Sequence, residues 1–454
     1  MTTRHHRRAM ATGAAVVGLA LTLAACSGDA ETTPESTGNG GEGAETNDAL
    51  DAALERGGDL TYWTWTPSAE AQVEAFMDAY PNVNVEVVDT GGAADNNLDL
   101  QNAISAGSGV PDVVQVEYQA LPQFVLPGAL LDLSEYGFGE YESLYTPSTW
   151  GAVSFSEGIW GLPQDSGPMA LFYNKRVFDE YGIEVPATWD EFVEAGRTLR
   201  ESGDDVWITN DYGGDAGFGT SMMWQAGGLP FQIDGENVTI DLQDEGTTRW
   251  AETWNPLIEE DLLADIPGWS DEWFTALSDG TIASLPIGAW MPGVLESSAP
   301  GGAGDWAVAP MPTYDGEPAT AENGGSSQAV TAQSEDPELA AAFLRWLNAS
   351  DESVEVFLAS GGFPATVADL ESEEFQAYES EYFGGQRINE VLVDATNSVL
   401  PGWQYLPWQA YANSIYPDTV GQAYLSGADL NEGLLNWQDQ NIQYGSDQGF
   451  TVNP

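Results

Sequence analysis

The chain has 454 residues, and its 72 acidic residues outnumber 11 basic ones, which gives a formal net charge of −61. Such a surface repels nucleic acid and anionic lipid headgroups, so we expect neither as a partner. One cysteine and two histidines cannot supply a disulfide or a common zinc site, and we expect neither a metal nor a cofactor.

The first 26 residues have the features of an export signal. Arg4, Arg7 and Arg8 precede an apolar run over 11–25 that is too short for a comfortable bilayer span. The run ends at Cys26, after Leu-Ala-Ala, and resembles the lipobox of bacterial lipoproteins, where the thiol is acylated and the chain is cut just before it. We therefore expect a signal peptide over 1–25 and a lipid anchor on Cys26 at the extracytoplasmic face of the cell membrane. An ordinary secretory signal is the alternative.

Cleavage there would remove both histidines and three arginines, leaving eight basic against 72 acidic residues and a charge of −64. A Ser-His-Asp triad would then be excluded, whereas a pair of catalytic carboxylates, as in glycoside hydrolases, would not. The acidic excess suits salty surroundings, which screen carboxylate repulsion. It also suits recognition of a cationic ligand such as a polyamine.

Residues 26–57 are rich in Gly, Ser, Thr and acids and contain no aromatic residue, so we expect a flexible tether. From residue 58 the pattern changes to alternating strands and helices. Strands are predicted over 60–65, 84–88 and 112–116, and helices after Ser68 and over 98–106. This β-α-β-α-β order favours a parallel sheet covered by helices.

Later helices carry clear start signals. Thr188 and Glu191 form a capping box, with Gly203 as a stop, and Asp336 followed by Pro337 gives a cap and a first-turn proline. The globular part of some 400 residues exceeds what one core usually holds, so we expect two lobes.

Ligands of parallel α/β sheets bind beyond the carboxyl ends of the strands, which here are followed by Trp65 and Thr66, by 89–92, and by Glu117 and Tyr118. An aromatic ring beside a carboxylate suits a sugar, which stacks on the ring and donates hydroxyl hydrogen bonds to the acid. The alternative interpretation is that Trp65 is a core residue.

Several tryptophans stand beside glycine or proline, a context typical of loops and clefts rather than cores. They are Trp160, Trp224, Trp290, Trp403 and Trp408.

Four runs of sequence occur in a distinctive order. They are GIWGLPQDSGPMALFYNKRVFDEYGIEVPATWDEF (158–192), DGTIASLPIGAWMPGVL (279–295), ENGGSSQAV (322–330) and GGFPATV (361–367). Together they resemble the extracellular solute-binding proteins of ABC sugar importers, the maltose-binding-protein-like family 1, over essentially all of 58–450.

The resemblance implies an α/β, two-lobed periplasmic-binding-protein-like fold of type II, with each lobe a sheet flanked by helices. By analogy, 58–164 plus 318–350 form the N-terminal lobe and 167–310 plus 352–454 form the C-terminal lobe. The family's ligand contacts map onto Trp65, Thr66, Ser68, Glu117, Tyr118, Asp165, Trp224, Trp290, Gly324, Gly325, Gly362, Phe363 and Trp403.

These observations predict a non-enzymatic, monomeric receptor that captures a di- or oligosaccharide between its lobes and delivers it to ABC permease subunits. Two alternatives stay open. One is a secreted glycoside hydrolase using a carboxylate pair such as Glu117 and Asp165, and the other is a binding protein of the same fold for a polyamine or other cation.

Overall fold

The computed structural model describes residues 42–203 and 205–454, and their side chains from residue 47 onward. The predicted signal peptide and Cys26 lie outside the described residues. The strands are β1 (Gly58–Thr64), β2 (Val83–Asp89), β3 (Val113–Glu117), β4 (Ser154–Phe155), β5 (Gly158–Ile159), β6 (Leu162–Pro163), β7 (Met169–Asn174), β8 (Thr209–Asn210), β9 (Phe231–Asp234), β10 (Asn237–Ile240), β11 (Leu263–Ala264), β12 (Ser284–Gly288), β13 (Trp306–Ala309), β14 (Ser326–Val330) and β15 (Thr451–Asn453).

Helices connect and cover these strands. They are α1 (Glu42–Arg56), α2 (Ala69–Ala79), α3 (Ala93–Ala106), α4 (Leu121–Val125), α5 (Pro147–Val153), α6 (Lys175–Tyr181), α7 (Trp189–Glu201), α8 (Ala216–Gln225), α9 (Glu245–Glu259), α10 (Asp271–Asp279), α11 (Met291–Ser298), α12 (Pro337–Ala349), α13 (Asp351–Ala359), α14 (Val367–Leu370), α15 (Glu373–Gln376), α16 (Ile388–Thr396), α17 (Gln409–Thr419), α18 (Gly421–Ser426) and α19 (Leu430–Asp447). Short 3₁₀ helices include Tyr118–Ala120, directly after β3.

The largest sheet among the described residues has the strand order β2-β1-β3-β14-β6. β1 pairs in parallel with β2 and β3, which confirms the predicted β-α-β-α-β unit. β14 runs antiparallel to β3 and β6, so the parallel prediction describes only the part built from consecutive elements. All five residues of β14 are buried because the strand lies inside the sheet.

A second sheet, β12-β7-β13, is antiparallel throughout. β7 is the apolar run Met-Ala-Leu-Phe-Tyr-Asn, and all of its residues except Tyr173 are buried. Smaller sheets are β15-β10-β9, β11-β8 and β4-β5.

Buried apolar side chains form separate cores. The first core draws on 50–162 and 329–365, with Tyr62, Phe76 and Phe343 in contact at its centre. The second and third cores draw on 169–437. Apolar burial therefore falls into blocks that follow the predicted lobe boundaries over most of the chain, and the assignment of lobes itself stays a prediction.

The predicted helix starts are present. Thr188 Oγ1 accepts from the Glu191 N–H, and the Glu191 carboxylate accepts from the Thr188 N–H, which completes the capping box of α7. Asp336 accepts from the Leu339 N–H and caps α12. Gly203 follows the end of α7 with a φ of +80°, a conformation that favours glycine.

Two segments differ from the prediction. Residues 42–56, expected as part of the tether, form α1, because Leu50, Ala53 and Leu54 recur at helical spacing and are buried against α12. The second segment is α13, which was assigned to the C-terminal lobe but packs on α2 and α12. Gln72 of α2 donates to the Ser353 hydroxyl at 2.8 Å and fixes that contact.

Within the part of the chain that the structure describes, no helix combines the length and apolar character needed to span a bilayer.

Candidate functional site

A cavity of about 750 Å³ lies between segments that pack on the first core and segments that pack on the other two. One side, which we call the amide wall, consists of Ala93, Ala94, Asn97, Leu98, Gln101, Glu117, Gln119, Ala120 and Gln123. The other, the aromatic wall, contains Thr209, Asn210, Asp211, Tyr212, Asp215, Gly217, Phe218, Gly268, Trp269, Trp273, Leu285, Pro286, Ile287, Trp290, Ala410, Asn413 and Ser414. Asn323 and Gly324 complete the lining.

The amide wall is built from the end of β3 and the start of α3. β3 ends at Glu117, and the 3₁₀ turn that follows places Gln119 beside it. The Nε2 of Gln119 donates to Glu117 Oε2 at 3.1 Å, and Gln119 Oε1 accepts from Asn413 Nδ2 at 3.1 Å. A hydrogen bond thus joins the two walls directly.

Glu117 sits where ionisation is costly. Burial raises the pKa of its carboxyl to about 7, and the nearby carboxylates of Asp215 and Asp165 add to the increase. Its hydrogen bond from Gln119 acts in the opposite direction. A ligand hydroxyl that donates to Glu117 would relieve the cost of burying the charge.

The aromatic wall centres on a pair of stacked indoles. The rings of Trp269 and Trp290 lie 5.6 Å apart at 23°, and Trp273 contacts Trp269 at 5.5 Å. The Nε1 of Trp290 donates to the Asn323 carbonyl at 2.6 Å, and the Nε1 of Trp273 donates to Asn210 Oδ1 at 2.8 Å. These bonds fix two of the rings at the edge of the cavity.

Trp269 is unusual in two respects. Its side chain is 57% exposed, and its φ of +66° lies in the left-handed region that bulky residues rarely adopt. Strained backbone of this kind concentrates at functional sites. An exposed indole on a strained loop beside Trp290 is suited to stacking on a ligand.

Two acids of the aromatic wall have different surroundings. Asp211 accepts from Trp254 Nε1, the Tyr424 hydroxyl and the Gly213 N–H, and burial raises its pKa to about 6. Asp215 is exposed and caps α8 by accepting from the Phe218 N–H at 3.0 Å. Both oxygens of Asp211 thus accept hydrogen bonds from the protein, whereas one oxygen of Asp215 has no donor among the described residues.

The structure brings three of the predicted ligand residues to the cavity, namely Glu117, Trp290 and Gly324. Gly324 has a φ of +79°, and a Cβ there would lie 2.8 Å from Trp290 Nε1. Only glycine fits this position without displacing the indole.

The predicted residues after β1 do not line the cavity. Trp65 is half-buried, and its main-chain N–H donates to Gln115 Oε1. The Thr66 hydroxyl donates to the same oxygen at 2.9 Å. Ser68 is buried and donates to Gln72 Oε1 at 2.9 Å. The Trp65 main chain and the Thr66 and Ser68 side chains thus form contacts within the protein.

Residues at the crossing between β6 and β7 also serve internal contacts. The Tyr118 hydroxyl donates to the Asp165 carbonyl at 2.7 Å, and Asp165 Oδ1 accepts from Ser326 N and Oγ, each at 2.7 Å. Burial raises the pKa of Asp165 to about 6. Gly325 packs against the Tyr118 ring, which a Cβ would meet at 2.7 Å.

The remaining predicted residues pack against other parts of the protein, away from the cavity. Trp224 and Trp403 stack at 5.3 Å, and Trp224 Nε1 donates to the Leu400 carbonyl at 2.7 Å. Phe363 is buried in the third core, and a Cβ on Gly362 would lie 2.3 Å from the Phe357 ring. None of the four lines the cavity.

Sequence reasoning missed most of the aromatic wall and the amides. The residues concerned are Asn97, Gln101, Gln119, Asp211, Tyr212, Asp215, Phe218, Trp269, Trp273 and Asn413. A signal existed for Trp269, which stands in Pro-Gly-Trp-Ser, the same context that singled out Trp290. The described residues contain no cluster of His, Cys, Asp and Glu with metal-binding geometry.

A sequence model of the family described as bacterial extracellular solute-binding protein matches residues 62–353. The chain belongs to this family. An ABC transporter-associated binding protein from B. animalis subsp. lactis, solved in complex with β-1,6-galactobiose, is 42% identical, with a TM-score of 0.80 over 87% of this chain and 99% of that one.

Two further relatives agree. The galacto-N-biose-/lacto-N-biose I-binding protein of Bifidobacterium longum is 25% identical, with a TM-score of 0.77 over 88% of this chain and 99% of that one. An arabinooligosaccharide-binding protein of Halalkalibacterium halodurans is 27% identical over 81% of this chain and 86% of its own length. The predicted family resemblance and the two-lobed, periplasmic-binding-protein-like fold of type II are confirmed.

Proposed function

We propose that the protein is the extracytoplasmic substrate-binding receptor of an ABC carbohydrate importer, and that it captures a di- or oligosaccharide in the cavity between the two walls. The observation that carries this proposal is the stacked Trp269–Trp290 pair opposite Glu117 and the amides. Pyranose rings stack on indoles through their apolar faces, while their hydroxyls hydrogen-bond to carboxylates and amides. A galactose-containing disaccharide is the first candidate, given the ligand of the 42% identical relative.

The position of Asp165 weighs against the hydrolase alternative. Glu117 lines the cavity, but Asp165 does not, and its Oδ1 accepts two hydrogen bonds from Ser326. The pair therefore does not flank a common ligand as the acid and base of a glycosidase must. We propose reversible binding without catalysis.

A ligand screen tests the proposal. Purified protein is titrated calorimetrically with β-1,6-galactobiose, lacto-N-biose, an arabinooligosaccharide and spermidine. We expect a saturable isotherm for at least one neutral sugar, recovery of that sugar intact, and no binding of spermidine. Hydrolysis products would establish the glycosidase, and spermidine binding that weakens steeply with salt would establish the polyamine receptor.

We further propose that the chain is a monomer anchored to the membrane through lipid on Cys26, with permease subunits as its partners. Export removes 1–25, and acylation of Cys26 leaves the globular part outside the membrane. Cys26→Ser in the producing cell should move the protein from the membrane fraction to the medium. Retention of this variant in the membrane would contradict the anchor.

A further inference from the structure

We infer that the cavity selects its ligand by charge, accepting neutral sugars and rejecting sugars that carry a carboxylate, and that Glu117 and Asp215 enforce this selection. The inference rests on the proposed function and narrows its substrate class. It follows from the charges that line the cavity and from the positions of the cationic residues.

Among the described residues, the lining contains the carboxylates of Glu117, Asp211 and Asp215 and no arginine or lysine. Asp211 is hydrogen-bonded on both oxygens, through Gly213 on one and through Trp254 and Tyr424 on the other. The carboxylates of Glu117 and Asp215 each accept a single hydrogen bond from the described residues, from Gln119 and from the Phe218 N–H respectively. These two acids therefore retain free acceptor capacity toward a ligand.

Cationic side chains are committed elsewhere. Every arginine and lysine among the described residues forms an ion pair with a carboxylate that does not line the cavity. The pairs are Arg56–Asp336, Lys175–Asp179, Arg176–Asp305, Arg197–Glu260, Arg200–Asp261, Arg249–Glu245, Arg345–Asp51 and Arg387–Glu379. No described cation is thus in place to receive a uronate or a phosphate.

Helix N-termini could otherwise attract an anion. Several helices have lining residues in or beside their first turn, among them α3 (Ala93), α8 (Asp215), α11 (Trp290) and α17 (Ala410). The N-terminus of α8 is covered by Asp215, which caps it. The N-terminus of α3 contributes Ala93 and Ala94 to the lining and carries Asp95 in its first turn. The positive ends of the α3 and α8 dipoles are therefore offset by an acid, whereas the first turns of α11 and α17 carry none.

The groups that face Glu117 act in the same direction. Asp215 and Asp165 lie close enough to raise its pKa, and the Tyr405 phenol also interacts with its charge. None of these can become cationic. A ligand carboxylate would therefore meet carboxylates from both walls, and like charges at short range repel each other more strongly near a protein surface than in bulk solvent.

The test compares two sugars that differ only in one group of the outer ring. β-1,6-Galactobiose and galacturonosyl-β-1,6-galactose, whose outer ring carries a carboxylate in place of the hydroxymethyl group, are titrated into the protein at pH 8 and low salt. We expect the acidic sugar to bind about 100-fold more weakly than the neutral one. Binding of both sugars within threefold would overturn the inference while leaving the proposed function intact, whereas failure of these sugars together with every other neutral sugar of the ligand screen would overturn the proposed function.

A double variant assigns the effect to residues. Glu117→Gln with Asp215→Asn keeps the Gln119 contact and a competent helix cap, since Asn caps as well as Asp. In this variant the ratio of the dissociation constants of the acidic and the neutral sugar should fall at least tenfold. Glu252→Gln with Glu259→Gln, on the exposed face of α9, makes the same change in net charge outside the cavity and should leave the discrimination unchanged. An unaltered ratio in the cavity variant would overturn the assignment to Glu117 and Asp215.

Discussion

The two walls of the cavity have opposite compositions. The described aromatic side chains that line it all belong to the aromatic wall, whereas the amide wall offers Asn97, Gln101, Gln119 and Gln123 together with the acid Glu117. Stacking is thus confined to one wall, whereas both walls offer hydrogen-bonding groups. A ligand held by both walls engages its ring faces on the aromatic wall and its hydroxyls on either side.

The difference has a consequence for the closing motion expected of two-lobed receptors. An aromatic surface binds one face of a sugar through the apolar area that the contact buries. The amides contribute to binding only when they reach the hydroxyls. The Gln119–Asn413 hydrogen bond is a direct link between the walls in this structure. We expect the aromatic wall to supply most of the affinity and the amide wall to supply selectivity.

The strongest test removes the centre of the aromatic wall. Trp290→Ala should weaken binding of β-1,6-galactobiose at least about 100-fold, because a stacked, partly buried indole is typical of residues that dominate an interface. The fold should remain, since Trp290 is not part of a core and its one hydrogen bond, to Asn323, contributes about 1 kcal/mol. Calorimetry and thermal unfolding measure the two effects.

Trp160→Ala is the matched control. That indole is also half-buried and also donates to a main-chain carbonyl, at Phe155, but it packs beside the first core and does not line the cavity. Its loss should leave the affinity unchanged. If Trp290→Ala and Trp160→Ala both bound the sugar as tightly as the unaltered protein, the aromatic wall would not be the binding surface.

The second test titrates the acid of the amide wall. A hydroxyl donated to Glu117 favours its ionised form, so affinity for a neutral sugar should rise as pH increases through about 7, by about tenfold between pH 5.5 and pH 8. Glu117→Gln should bind about tenfold more weakly at pH 8 and lose most of this pH dependence. Affinity that is independent of pH in the unaltered protein would contradict a direct contact.

The Glu117 carboxyl makes stability depend on pH in the opposite direction from affinity. Because its pKa in the folded state, about 7, exceeds its ordinary value near 4.5, the folded state retains a proton that the unfolded state has lost between these values. Stability of the ligand-free protein should therefore fall as pH rises from about 4.5 to 7. Glu117→Gln should unfold at a higher temperature than the unaltered protein at pH 8, a gain that a purely structural glutamate would not give.

A smaller effect is expected at the link between the walls. Asn413→Ala removes the donor to Gln119 and should weaken binding about threefold to fivefold, the range of one neutral hydrogen bond. If the link is the cause, Asn413→Ala combined with Gln119→Ala should bind no more weakly than Gln119→Ala alone. Additive losses would show that the two side chains act on the ligand separately.

Local signals in the sequence predicted much of the fold. The capping box at Thr188, the cap at Asp336 and the alternation over 58–117 each depend on neighbours within a few residues, and each is present in the structure. Helix α1 was missed because the composition of 26–57 was averaged, which hid the helical spacing of Leu50, Ala53 and Leu54.

The site was harder to predict because its parts are distant in sequence. Glu117 was found from a local rule, the carboxyl end of a buried strand, Trp290 from its place near glycine and proline as well as from the family resemblance, and Gly324 from the resemblance alone. Asn413 and Asp211 carry no local mark, and only tertiary packing places them at the cavity. The rule that a tryptophan beside glycine or proline faces a cleft also fails for Trp408, which is buried and donates to Asn441.

The smallest expected effect on affinity tests whether position, rather than aromatic character, makes a tryptophan part of the site. Trp403 lies parallel to Trp224 at 5.3 Å and meets Phe231 edge-on at 5.8 Å, away from the cavity lining. Trp403→Ala should lower the free energy of unfolding by about 2–4 kcal/mol through lost packing and change the dissociation constant for β-1,6-galactobiose less than twofold. Its buried Nε1 has no hydrogen-bond partner among the described residues, so its removal strands no acceptor. Trp403→Phe, which keeps a ring against Trp224, should recover part of the stability at the same affinity. A tenfold loss of affinity in Trp403→Ala, with no such loss in Trp403→Phe, would place this ring in the binding site and extend the aromatic wall to it.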